Sequence, residues 1–178
     1  MNLNLTRKHW VIILVTPLAL LLDQLSKLII HASLKPLNEI VLIPRYLELI
    51  LVKNRGLVFG MLSGRLGGFS TWIFLGITII ALAIIIHLFF RTESKAVLLP
   101  LALSLVLSGA LGNLIDRFHW GYVVDFINMH YRGHYWPTFN VADIAITFGI
   151  IFLIIDSFRP PPKTGSQEKK EAEKKLEG

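Results

Sequence analysis

The sequence predicts a helical integral membrane protein with four transmembrane spans and a small sheet outside the bilayer. Three observations carry that fold class. Of 178 residues, 53% are hydrophobic and only 17% are charged, with a mean hydropathy of +0.60; soluble domains carry about 25% charged residues. Four long apolar runs recur, the clearest being Gly67 to Phe90, without a single Asp, Glu, Lys or Arg. Such a run crosses a hydrocarbon core of about 30 Å at about 1.5 Å per residue. Residues 35–66 break the pattern with β-branched and aromatic residues around turn signals.

Taken in order, Arg7 and Lys8 precede an apolar run over residues 10–31. It resembles a signal peptide but continues too long for one, without a prompt small-x-small cleavage site, and reads as a retained first span. Residues 35–66 hold Val41-Leu-Ile43, Tyr46-Leu-Glu-Leu-Ile-Leu-Val52 and Asn54-Arg-Gly56, which predicts a short sheet or hairpin around an Asn-x-Gly turn. A second span covers 67–90 and a third 96–115, joined by the tight charged link Arg91-Thr-Glu-Ser-Lys95. Eight of the 19 aromatic residues fall between Phe118 and Phe139, the composition of a membrane-water interface. A fourth span runs over 141–158, and 159–178 is a charged, low-complexity tail without the means to build a core.

Composition also narrows the chemistry. With no cysteine, thiolate nucleophiles, disulfides and cysteine metal ligands are absent. Six of the 18 Lys and Arg lie in the last twenty residues, with no basic aromatic face beside them, so the net charge of +6 does not point to nucleic acid. Four spans put both termini on one side, which carries ten Lys and Arg against seven on the other. The positive-inside rule therefore favours cytoplasmic termini. On that orientation Asp23, then Asn113, Asp116 and Arg117, then Asn140 and Asp143 all come to one depth near the outer surface.

Ionisable groups at membrane depth are functional candidates. Two carboxylates in a desolvated place share a proton and can activate water against an amide. Three aspartates compete for that role. Asp116, beside Arg117 at a helix end, reads as an ion pair or interfacial anchor; Asp125 sits in an apolar setting; Asp143 opens a span and could merely cap it. Asp23 and Lys27, four apart, share a helix face, with the lysine expected to snorkel to the interface. Asn54-Arg-Gly56 reads as a turn, and Asn113 needs a partner at its depth. His130 and His134 flank Gly133 in what reads as a hairpin, and no His-Glu-x-x-His occurs. Gly60, Gly64 and Gly68 have dimer-motif spacing but precede most of their span. A proton-relaying transporter and a membrane scaffold are the competing classes. No internal repeat supports the transporter.

The blocks Asp23-Gln-Leu-Ser-Lys27, Asn54-Arg-Gly-Leu-Val-Phe59, Gly109-Ala-Leu-Gly-Asn-Leu-Ile-Asp-Arg117, Val123-Val-Asp-Phe126 and Phe139-Asn-Val-Ala-Asp143 together resemble bacterial lipoprotein signal peptidase, the type II signal peptidase. The resemblance implies four inner-membrane helices with an extracytoplasmic β-cradle, and an aspartic endopeptidase that needs neither metal nor cofactor. Its substrates would be prolipoproteins bearing a diacylglyceryl-cysteine, cut before that cysteine, and its inhibitor the cyclic peptide globomycin. It assigns the catalytic pair to Asp125 and Asp143. It gives supporting or substrate-binding roles to Asp23, Lys27, Asn54, Gly56, Gly109, Asn113, Arg117, Asn140 and Ala142.

Overall fold

The computed structural model describes residues 5–35, 38–55, 69–92 and 96–159. Gly56, the Gly60/Gly64/Gly68 series and the tail beyond residue 159 lie outside them, so the expectations placed there stay untouched. The elements run α1 (Arg7–Ser33), β1 (Glu39–Ile43), β2 (Leu47–Asn54), α2 (Phe69–Arg91), α3 (Leu98–Trp120), β3 (Val123–Tyr131), β4 (His134–Tyr135) and α4 (Val141–Ser157). Among the described residues four helices and one small antiparallel sheet give the mostly helical class with its small sheet. Among the described residues α1 and α3 are long and apolar enough to cross a membrane.

Helix α3 is central, packing on α1, α2 and α4. The helices turn their apolar side chains outward: Leu14, Leu18, Leu22 and Ile29 on α1 and Ile79 and Ile80 on α2 are each more than half exposed. Many of their buried positions are polar or small instead, among them Asp23, Lys27, Ser104, Ser108, Asn113 and Ala142, beside a few apolar ones such as Ile30, Ile85 and Leu103. That inversion of the soluble pattern belongs to a lipid-facing surface.

Local sequence explains the helix ends. Thr6 begins α1, with both its backbone N–H and its hydroxyl bonded to His9 Nδ1. Gly121, at φ 75°, ends α3 by donating to the Arg117 carbonyl. Asn140 caps α4, its side-chain oxygen accepting from the Asp143 N–H at 3.0 Å.

The sheet has the order β1-β2-β3-β4. Two findings add to the reading. The first hairpin turns at Pro44-Arg45-Tyr46, while Asn54 ends β2 and the Asn-x-Gly turn after it runs into residues outside the described ones. Proline supplies a fixed φ for such a turn, a cue stronger than the Asn-x-Gly ten residues later. Residues 123–131 form a strand in the sheet's interior, where only an interfacial aromatic segment was expected. The hairpin expected around Gly133 is present, with His134 paired to Tyr131.

Phe126 and Val124 point from one face of β3 onto the end of α1, where Ile30, Leu34 and Tyr122 complete a small core. Asp125 points to the other face. Beyond the sheet, Phe139 pairs with Ile127 by bonds of 2.8 and 3.1 Å, which pins the start of α4 beside β3. The fold thereby brings Asp125 and Asp143 to the same place from two different elements.

Candidate functional site

Asn140 stands between the two aspartates. Its Nδ2 donates to Asp125 Oδ1 at 2.7 Å, while Asp143 Oδ2 accepts from the Asn140 backbone N–H at 3.1 Å. Asn54 Nδ2 donates to Asp125 Oδ2 at 2.8 Å, and Asn113 Nδ2 donates to Asp143 Oδ1 at 2.9 Å. Each carboxylate thus holds one donor on each oxygen, leaving lone pairs for a further donor.

The amides cannot turn over. Lys27, which only donates, approaches Asn113 Oδ1 at 3.0 Å, so that atom must be the oxygen and its partner nitrogen must face Asp143. The Asp143 N–H fixes Asn140 in the same manner, so its nitrogen must face Asp125. Asn140 Nδ2 also reaches Asn113 Oδ1 at 3.1 Å, joining the two amides.

Lys27 is fully buried and does not snorkel. Its ammonium lies 2.9 Å from Asp23 Oδ2 and 2.9 Å from Asp116 Oδ2. Three donors meet three acceptors at the α1–α3 contact, so reaching the interface would leave two buried aspartates without a counter-charge. Asp116 does form an ion pair, across helices with Lys27, and also accepts from the Val124 N–H at 3.1 Å. Asp23 accepts from the Ala142 N–H at 2.8 Å. One ammonium therefore ties α1, α3, β3 and the first turn of α4 together.

Close approach of the helices depends on glycine. A Cβ on Gly109 would run into the Ala142 carbonyl and Ile146, and one on Gly112 into the Asp23 carboxylate. Gly112 was not singled out from the sequence, and neither was Gln24. Gln24 Nε2 lies within 3.2 Å of Asp23 Oδ2, Asp116 Oδ1 and the Gly112 carbonyl. A carboxamide inside an apolar run beside an aspartate was the available signal for it.

Arg117 is buried, reaches the Asn113 carbonyl at 3.3 Å, and its charge acts on Asp125, Asp116 and Asp143. A cavity of about 690 Å3 has Asn54, Asn113, Arg117, Asp125 and Asp143 at its polar end; Ile77 of α2 and Ile144, Phe148 and Ile150 of α4 line its apolar end. Burial pushes the Asp125 carboxyl up; the Asn54 hydrogen bond opposes this, Asp143 adds to it, and Asn140 and Lys27 pull back, leaving it at about 7. A carboxyl that titrates near neutrality beside a second one is suited to exchanging protons with a reacting group. Among the described residues no cluster of His, Asp or Glu is arranged to hold a metal ion.

The family model for signal peptidase (SPase) II matches residues 15–159. A lipoprotein signal peptidase of Acinetobacter baylyi is 43% identical over 141 residues, covering 79% of this chain and 78% of that one. Another from Pseudomonas fluorescens is 41% identical over 160 residues, covering 89% and 92%. A bacterial membrane enzyme solved by the in meso method at 2.3 Å superposes with a TM-score of 0.76 at 32% identity, covering 92% of this chain and 99% of that one. Matched over most of its length by the family model and by relatives above 40% identity, the chain belongs to the signal peptidase II family.

Proposed function

We propose that this chain is an intramembrane aspartic endopeptidase of the bacterial inner membrane. It removes signal peptides from diacylglyceryl-modified prolipoproteins by cutting before the lipidated cysteine, as a step in lipoprotein maturation. The observation that carries the reading is the pair Asp125 and Asp143, held by fixed amides at the polar end of a largely apolar cavity. All four helices cross the membrane in this reading, with cytoplasmic termini and the sheet on the outer side. Residues 1–158 are one peptidase domain and 159–178 a cytoplasmic tail.

One proton is shared by the pair. Asp125, pushed up to about 7, holds it below neutral pH and serves as the acid. Asp143 takes a proton from a water held between the carboxylates, and the resulting hydroxide attacks the carbonyl carbon of the scissile amide. Asp125 gives its proton to the carbonyl oxygen. When the C–N bond of the tetrahedral diol breaks, Asp143 returns its proton to the leaving amine, and a hydroxyl proton goes back to Asp125 as the carbonyl reforms. No metal or cofactor enters this scheme.

The remaining residues have supporting roles. Asn54, Asn113 and Asn140 aim the carboxylates; Asp23, Lys27, Gly109 and Ala142 hold the helices that carry them; Arg117 offsets the negative charge that develops. The family resemblance assigns Gly56, with Asn54, a role in contacting the peptide backbone. The apolar walls receive membrane-embedded parts of the substrate, and globomycin competes for the same cavity.

Cleavage of a purified diacylglyceryl prolipoprotein by the detergent-solubilised chain, with a chelator present, tests the reading. Processing of the lipidated precursor and not of its unlipidated form is expected. Failure of a folded preparation to cut either would overturn the proposal.

A further inference from the structure

The end of the sheet away from the aspartates holds a second cavity, of about 360 Å3, bordered by Arg45, Tyr46, His130, Tyr131, Arg132 and Gly133. It forms where the β1–β2 and β3–β4 turns lie side by side. The pairing of Leu47 with Met129, and a 3.0 Å bond from the His130 N–H to the Tyr46 carbonyl, fix both turns at that end. Six residues of extended chain lie between Asp125 and Arg132, so seven steps of about 3.3 Å put them roughly 23 Å apart at most.

Both arginines take backbone conformations that arginine disfavours. Tyr46 N–H donates to the Ile43 carbonyl at 3.0 Å, so Pro44 and Arg45 are the central residues of a β-turn. Arg45 has φ 69° at the position that type II turns give to Gly or Asn. Arg132 at φ 50° and Gly133 at φ 82° form the two-residue turn of β3–β4, whose first position also favours Asn, Asp or Gly. Among the described residues these two arginines are the non-glycine residues with positive φ. Neither turn's backbone conformation requires a guanidinium, and strain of this kind persists where the side chain has a use.

The surroundings show which use. Tyr46 and Tyr131 stack at 5.4 Å, and the Arg132 guanidinium lies 5.2 Å over the Tyr131 ring. Glu48, on the neighbouring strand, accepts from Asn128 and lies 3.7 Å from His130 Nε2. Among the described residues no carboxylate pairs with Arg45 or Arg132. Beside them β1 exposes Ile40 to Ile43, and Tyr46, Tyr131 and Tyr135 are exposed too. Apolar residues edged by tyrosine and arginine are the composition of a surface at phospholipid headgroup level.

We propose that this cavity binds the phosphate of an anionic phospholipid headgroup, with Arg45 and Arg132 donating to its oxygens. Guanidinium forks match phosphate geometry, and the tyrosines and β1 rest against the adjoining apolar part of the lipid. A glycerol headgroup fits beside two cations, whereas a choline ammonium would oppose them.

The test titrates the full-length protein in detergent with short-chain phosphatidylglycerol, short-chain phosphatidylcholine and inorganic phosphate, counting bound molecules by native mass spectrometry. The double variant Arg45→Asn/Arg132→Asn is run in parallel. Asparagine tolerates positive φ, so both turns survive while both charges go. The parent is expected to bind one phosphatidylglycerol about tenfold tighter than the variant, the scale of a lost charged hydrogen bond, and to bind the other two ligands weakly. Equal binding by parent and variant overturns the site, and inorganic phosphate matching the lipid overturns the lipid assignment. If the variant folds poorly, a salt titration of the parent decides instead, since affinity that does not fall as salt rises contradicts a phosphate contact.

Discussion

Two pairs of aspartates, buried except for the half-buried Asp143, lie on either side of Asn113, and they are satisfied in opposite ways. Asp23 and Asp116 share the Lys27 ammonium, with Gln24 and the backbone N–H groups of Ala142 and Val124 taking up further lone pairs. Asp125 and Asp143 share no ammonium within ion-pair distance among the described residues, receive amide donors from Asn54, Asn113 and Asn140 with the Arg117 charge nearby, and border a cavity. The first pair is closed and compensated. The second is held in place but left able to exchange protons. Burial alone does not separate a structural carboxylate from a chemical one; the identity of its partners and its access to a cavity do.

Breaking the open pair should have the largest effect on chemistry. Asp125→Asn and Asp143→Asn each keep the shape and remove a titrating group, so cleavage per folded molecule should fall by at least ~10²–10⁴. Thermal unfolding in detergent would show whether the folded state persists. Breaking the closed pair should instead act on stability. Lys27→Met leaves Asp23 and Asp116 buried without their shared ammonium, and should destabilise the protein by about 3–5 kcal/mol. A melting temperature equal to the parent's would contradict the role given to Lys27.

Smaller effects sharpen the contrast. Gly112→Ala pushes a methyl group toward the Asp23 carboxylate and should cost about 1–3 kcal/mol by forcing α1 and α3 apart. Because Asp125 titrates at about 7 and acts in its protonated form, the cleavage rate should decline as pH rises through that value. Folding linkage has a defined sign here. A carboxyl whose folded value lies above the ordinary 3.8 binds more protons folded than unfolded, so its contribution to stability weakens as pH rises from about 4 to about 7. A rate that keeps climbing between pH 6 and 8 would remove Asp125 from the acid role.

Much of this arrangement was legible in the sequence, for a physical reason. Polar side chains inside apolar runs are costly, so Asp23, Asn113, Asn140 and Asp143 announce themselves and share a depth. The helices were readable from their length and lack of charge, with α3 continuing past the expected boundary at 115 through Asp116 and Arg117 to Trp120. Strand β3 was not. Val123 to Phe126 are buried on both faces, so the period-two alternation that marks a half-exposed strand is missing. The fate of Lys27 was hidden as well, because snorkelling and a buried triad look alike until α3 is placed against α1. The residues alone left Asp116, Asp125 and Asp143 competing and only the family resemblance chose among them, since the ammonium that Asp116 pairs with comes from a residue 89 positions earlier in the chain.

The most direct test compares three isosteric variants in one assay. Cleavage of a diacylglyceryl prolipoprotein would be measured per folded molecule for Asp125→Asn, Asp143→Asn and Asp116→Asn. If the open pair carries the chemistry, the first two lose essentially all turnover, while Asp116→Asn keeps most of it and loses stability instead. Equal loss of turnover at Asp116 would contradict the division between a chemical and a structural pair.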